Sequence, residues 1–252
     1  VTDPNQQKKD KANEKSDSKD KETDSSLDSK DVALRKYTLG TLLYQGAGGM
    51  SAYHAFRTAV RTRKAQGEYE FLKYEETPMD ILAAPFHFQY LARPTTFIPR
   101  SIGAAFAYLV AASEPPQGYE KARLTSADWA FTGAFSYNAG THEEAIFRGW
   151  LMPVFTQKGM TPFWANVTQS AIFAVAHLST NSFPLPQLVL GYHLGYVTQR
   201  NAWRLGEAVF IHVWWDVLAF ASAFSYSKKQ TEAAARLLPP PVLWLPPLTW
   251  QF

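Results

Sequence analysis

The chain has no cysteine. That excludes disulfides, a thiolate nucleophile and cysteine-ligated zinc, and leaves any metal or nucleophile chemistry to His, Asp, Glu, Ser or Tyr. Charge of one sign is also scarce: 25 Lys and Arg stand against 22 Asp and Glu. So small and evenly mixed an excess does not argue for nucleic acid, and no basic–aromatic stripe supports that partner. Runs of alternating apolar and polar residues, the mark of a half-buried strand, are missing, and so are internal repeats. Between Lys158 and Arg200 there is no Asp, Glu, Lys or Arg at all, and His177 and His193 are the only histidines in that stretch. A stretch of that length without charge is unusual for a water-soluble protein and suits a bilayer.

What the chain does have is aromatic residues, at 15% of its 252 positions. Trp and Tyr gather where an apolar phase meets water. The mean hydropathy of −0.24 averages two unlike regions. From Val1 to Asp31 nearly every residue is Lys, Asp, Glu, Ser, Asn, Gln or Thr with interleaved signs, a composition that cannot bury enough apolar surface to offset chain entropy. Residues 1–33 are therefore expected to form a disordered charged tail, and 34–252 a helical membrane domain.

Within that domain Leu39, Leu42, Leu43 and Tyr44 lead into the glycines Gly46, Gly48 and Gly49, which suit close helix contact rather than a phosphate loop. Arg57, Arg61, Arg63 and Lys64 follow and mark a cytoplasmic flank if the helix spans a bilayer. Pro78, Pro85, Pro94 and Pro99 break the next stretch into short helices. The uncharged run Ile102–Ser113 is a helix, long enough to span only if the flank from Thr95 joins it. Pro115 to Arg123 reads as a loop, and Thr125-Ser126-Ala127-Asp128 as the cap of the next helix. Helices are expected from Pro162 to Leu178, over Leu188–Val197 and over Ala208–Tyr226, with Ser179–Pro186 as a turn. The proline- and tryptophan-bearing tail Leu237–Phe252 is not a regular helix and suits an interface. The expected fold is all-α, a multi-pass transmembrane helical bundle with a polar active-site cavity.

Polar groups recur in the apolar second half: Glu143, Glu144 and Arg148, then His177, His193, and His212 with Asp216. Helical spacing puts Glu144 and Arg148 one turn apart on one face, able to pair, while Glu143 points elsewhere and is left for chemistry. Asp216 lies one turn after His212, placed to orient its imidazole or share a ligand. Ionisable groups at membrane depth are costly and therefore usually functional. His193 reads better as a satisfied core histidine. Ser170 and Ser179 lie near His177, but neither occupies a Gly-x-Ser-x-Gly elbow. His142-Glu143 does not complete a His-Glu-x-x-His zinc motif, because the second histidine position is Ile146. The chemistry that unites the set is activation of water by a glutamate base, with histidines on the water and the developing oxyanion.

In this order the residues resemble the CAAX-protease and bacteriocin-processing family of intramembrane proteases. Its Glu-Glu-x-x-x-Arg motif corresponds to Glu143, Glu144 and Arg148, followed by Gly149, and its Phe-x-x-x-His motif to Phe173 and His177. A glycine-bearing helix follows at Gly191–Gly195, and the closing His-x-x-x-Asn/Asp motif corresponds to His212 and Asp216. The motif-bearing core runs from about residue 126 to 226, and residues 1–124 rest on helix counting alone. The resemblance implies an intramembrane endopeptidase, with a peptide or protein substrate and the lipid bilayer as partners. Glu143 would activate water with His177, Glu144 would pair with Arg148, and His212 with Asp216 would stabilise the oxyanion. It allows two versions of the chemistry, glutamate alone or a zinc or other divalent ion on Glu143, His177 and His212. Asp216, where the prenyl-protein enzymes have Asn, is a variant of bacterial relatives. It points to a bacterial inner membrane and weakens the inference of a CAAX substrate. Two other classes fit the same residues: a non-catalytic scaffold or immunity-type member of the family, and a membrane protein holding a metal or haem on His177 and His212.

Overall fold

The computed structural model describes residues 39–115, 119–178 and 184–228. The charged tail at 1–33, the segment Leu237–Phe252 and most of the turn expected at Ser179–Pro186 lie outside the described residues. The elements in order are α1 (Leu39–Lys64), α2 (Pro78–Ala83), two 3₁₀ turns (Ala84–Phe86 and Phe88–Ala92), α3 (Pro94–Ala112), β1 (Tyr119–Lys121) and α4 (Ser126–Ile146). A π-helical turn (Phe147–Leu151) continues α4 into α5 (Met152–Gln157), followed by α6 (Pro162–Ala176), α7 (Leu185–Arg200), α8 (Gly206–Phe224) and β2 (Tyr226–Lys228).

Local chemistry sets the helix boundaries. Thr125 and Asp128 close a reciprocal capping box at the start of α4, with the Thr125 amide donating to Asp128 at 2.8 Å. Thr161 caps α6, with Pro162 at the first helical position, where its missing N–H costs nothing. In α3 the flank from Pro94 does join the apolar run, so the helix has 19 residues. Pro99 lies inside it and cannot donate to the Thr95 carbonyl four residues back. His193 on α7 takes that place, its Nε2 donating to the Thr95 carbonyl at 2.9 Å. His193 is thus a satisfied packing histidine that ties α7 to the weakened start of α3.

The described residues are helical, as expected, with one small addition. β1 and β2 pair antiparallel, Tyr119 opposite Lys228, so the stretch read as a loop contains a strand, and the last helix stops at Phe224 rather than Tyr226. Strands of three residues are too short to show an alternating pattern, and it is the ladder between the α3–α4 connection and the segment after α8 that forms them. The Tyr226 hydroxyl donates to the Val110 carbonyl, which holds this small sheet against the end of α3.

Helix α8 lies at the centre, packed against α4, α3 and α7, while α1 lies along α4, and α6 pairs with α7. One core cluster joins α1, α2, α4 and α8 through Tyr53, Ile81, Ala84, Ala145, Leu205, Val209 and Val213. A second sets Leu194 and Val197 of α7 against Ala208 and Ile211 of α8. Among the described residues, α3 and α8 are long and apolar enough to cross a membrane. They differ in surroundings. α3 leaves Phe97, Ile98, Ile102, Phe106 and Leu109 exposed, whereas α8 is half enclosed by its neighbours.

α8 approaches α4 closely at Gly140, where a Cβ would stand 2.9 Å from the Val213 backbone nitrogen. Gly140→Ala tests this contact. In an unconstrained helix the change gains about 1 kcal/mol, but overpacking against backbone costs about 1–3 kcal/mol, and the second effect should win. The expected outcome is a lower unfolding midpoint in detergent; a raised midpoint would contradict the close crossing.

Candidate active site

The site is formed by the end of α4 with its π turn, the end of α6, and the first half of α8. The π turn has an identifiable origin. Pro153 has no N–H to give to the Gly149 carbonyl, so the regular ladder fails there, and wide turns of this kind often mark functional positions. Gly149 sits in the turn because a Cβ would come within 2.7 Å of the Tyr53 ring.

Glu144 and Arg148 are both fully buried and pair at 2.7 Å. The same carboxylate oxygen, Oε1, also accepts from His212 Nδ1 at 2.7 Å. The sequence reading places Asp216 either to orient the His212 imidazole or to share a ligand with it; the hydrogen bond at Nδ1 is made to α4 instead. Asp216 does share the His212 face of α8, but its carboxylate lies 3.5 Å from Nε2, while Nδ1 turns across to α4. Arg148 also donates from Nη2 to the Gly191 carbonyl at 2.9 Å, and its guanidinium lies 4.5 Å above the Phe173 ring. Gly191 permits this approach, since a Cβ would stand 3.1 Å from Nη2.

His177 caps the end of α6, and its Nδ1 donates to the Phe173 carbonyl at 2.7 Å. That bond places the proton on Nδ1 and turns Nε2 toward α4. Glu143 Oε2 stands 3.8 Å from His177 Nε2 and 3.9 Å from His212 Nε2, and it is buried without a hydrogen-bond partner. Phe173 packs against both imidazoles, with ring centroids 4.5 Å from His177 and 5.8 Å from His212. Glu143, Glu144, Arg148, His177, His212 and Asp216 are therefore gathered in one place, and His193 stands apart on α7, bonded to the Thr95 carbonyl of α3. Ser170 is fully buried and donates to the Asn166 carbonyl at 2.7 Å, so its hydroxyl is occupied. Ser179 lies outside the described residues.

The sequence reading missed a second buried layer. Gln169 donates to the Gly191 carbonyl at 3.3 Å, and Asn166 to the Tyr192 carbonyl at 3.0 Å, so both hold α7 against α6 behind Arg148. The available signal was Asn166, Gln169 and Ser170 at helical spacing inside an uncharged segment.

Among the described residues no group of three or more His, Asp or Glu side chains is disposed to hold a metal. Ligands sharing a tetrahedral zinc stand roughly 3.3 Å apart, closer than Glu143 Oε2 is to either imidazole nitrogen. As placed, these side chains do not fit zinc or another divalent ion.

Residues 125–218 match the family model described as type II CAAX prenyl endopeptidase Rce1-like. The match runs from the cap of α4 into α8 and includes every residue of the polar cluster. No curated protein and no solved structure matches the chain.

Replacing Arg148 tests the buried pair. Arg148→Ala leaves Glu144 with His212 alone and should cost about 3–5 kcal/mol of stability. Arg148→Lys keeps the charge but not the fork that reaches both Glu144 and Gly191, and should lose less. Unfolding midpoints in detergent measure both; equal stability of Arg148→Ala and parent would contradict the burial.

Proposed function

We propose that this chain, whose residues 125–218 form a domain of the Rce1-like CAAX endopeptidase family of membrane-embedded helical proteases, is a multi-pass intramembrane endopeptidase that hydrolyses a peptide bond in a peptide or protein substrate. The observation that carries this reading is the convergence of Glu143 Oε2, buried and without a hydrogen-bond partner, with Nε2 of both His177 and His212. Polar atoms held slightly beyond direct hydrogen-bond reach are commonly bridged by water.

In this reading Glu143 is the general base. It takes a proton from a water that His177 Nε2 also holds, and the oxygen attacks the scissile carbonyl carbon. The carbonyl π pair moves onto oxygen, and His212 donates from Nε2 to the resulting oxyanion. Collapse re-forms the carbonyl and breaks the C–N bond as Glu143 returns the proton to the amine. Glu144 accepts from His212 Nδ1–H, so donation to the oxyanion from Nε2 requires His212 as the doubly protonated imidazolium, with the carboxylates of Glu143, Glu144 and Asp216 around it. Arg148 is the cation paired with the Glu144 carboxylate in an apolar surround.

An apolar cleft of about 590 Å³ opens between α3 and α7, lined by Ile98, Ile102, Leu185, Val189 and Trp215 among others. No residue of the polar cluster lines this cleft, which meets the site's elements only at Trp215 of α8. The exposed apolar face of α3 supports the membrane placement.

Glu143→Gln keeps the shape of the side chain but removes the base. It should lower peptide cleavage by about 10²–10⁴-fold with an unchanged unfolding midpoint, and His177→Ala should act in the same direction. Turnover of a peptide library by detergent-purified protein measures this, and variants as fast as the parent would refute the mechanism. Carbonate washing tests the membrane claim: the protein should stay with the membrane fraction and leave it only in detergent.

A further inference from the structure

Helix α8 carries His212 and Asp216, yet its first turn has no cap of its own: Leu205 occupies the N-cap position, and no side chain there accepts an amide. The missing acceptor comes from 129 residues upstream. Both carboxylate oxygens of Glu76 lie 3.0 Å from the Leu205 amide, and the Gly206 amide also donates to this carboxylate. Glu76 sits in the segment between α1 and α2, outside the part of the chain that matches the protease family. Burial pushes its carboxyl above the ordinary glutamate range, against the pull of the Leu205 and Gly206 amides and of Arg57.

Glu76 is also tied to the rest of the site. Tyr53 of α1 directs its hydroxyl at Glu76 Oε2, 3.5 Å away, and its ring fills the space beside Gly149, the residue after Arg148. Tyr53 and Leu205 share a core cluster with Ala145, which follows Glu144, and Val213, which follows His212. One contact unit thus reaches the chain neighbours of Glu144, Arg148 and His212 together.

We propose that Glu76 is a positioning residue: by capping α8 it sets the depth and rotation of His212 against Glu143 and Glu144. The kinetic part of this rests on the protease reading. An uncapped first turn frays, and a residue two turns along a helix inherits that looseness. Displacements of about 1 Å at a reacting group can cost on the order of a hundredfold in rate.

The test compares Glu76→Ala and Glu76→Gln with the parent in two measurements. In hydrogen exchange, Glu76→Ala should speed exchange of the amides from Leu205 through His212 while α6 and α7 stay protected. Glu76→Gln, whose amide oxygen can still accept from Leu205, should restore protection. In peptide cleavage, Glu76→Ala should lower kcat on the order of tenfold or more with KM little changed, and Glu76→Gln should recover most of it. The proposal is overturned if exchange through His212 is unchanged, if it rises equally in every helix, or if kcat stays at the parent level while exchange rises. Failure of the protease reading looks different: the parent cleaves nothing, and the exchange result alone then decides whether Glu76 holds the helix.

Discussion

A single carboxylate oxygen, Glu144 Oε1, accepts from Arg148 and from His212 at 2.7 Å each. In an apolar interior such a group is tolerable only while its partners are in place, because a buried charge left unpaired costs several kcal/mol. The surrounding architecture meets that demand. Gly191 lets α7 close on the guanidinium, Phe173 provides a flat apolar surface beneath it, and Gly140 lets α8 approach α4 closely. The oxygen that anchors the arginine is the one that orients the histidine, so the structural and the chemical halves of the cluster share an atom.

The same accounting of polar groups runs through the helices. In lipid every backbone carbonyl must find a donor within the protein, and the places where proline removes one are where unusual contacts arise. Pro99 releases the Thr95 carbonyl, and His193 from α7 occupies it. Gln169 and Asn166 bond to successive carbonyls of α7, at Gly191 and Tyr192, and so join α6 and α7 without using a charge. These neutral bonds join α6 and α7, between which the described residues form no ion pair.

Spacing along the chain made part of this legible. The Glu144–Arg148 pair follows from helical periodicity alone, as do the capping box at Thr125 and the separate direction taken by Glu143. Other contacts depend on how one helix is rotated against another, which periodicity does not encode. His212 turns Nδ1 to Glu144 rather than to Asp216, its neighbour on the same helix, because α4 lies closer to that edge of the ring. The antiparallel pairing of β1 and β2 escaped notice because each strand is only three residues long. Glu76 drew no attention among the mixed charges around it, since nothing local to residue 76 shows that its partner is an amide at Leu205.

The π turn at Phe147–Leu151 separates two helical stretches that would otherwise form one continuous rod. Each residue of an α-helix advances the surface by about 100°, so a wide turn acts as a phase shifter. Glu143 and Glu144 are set by the phase before it, whereas Gln157, which accepts from the Tyr69 amide at 2.8 Å, is set by the phase after it. The two ends of this stretch therefore keep independent registers, one facing the reactive groups and the other facing the loop that follows α1. Shortening the turn by one residue would give a straighter helix whose ends could no longer both face their partners.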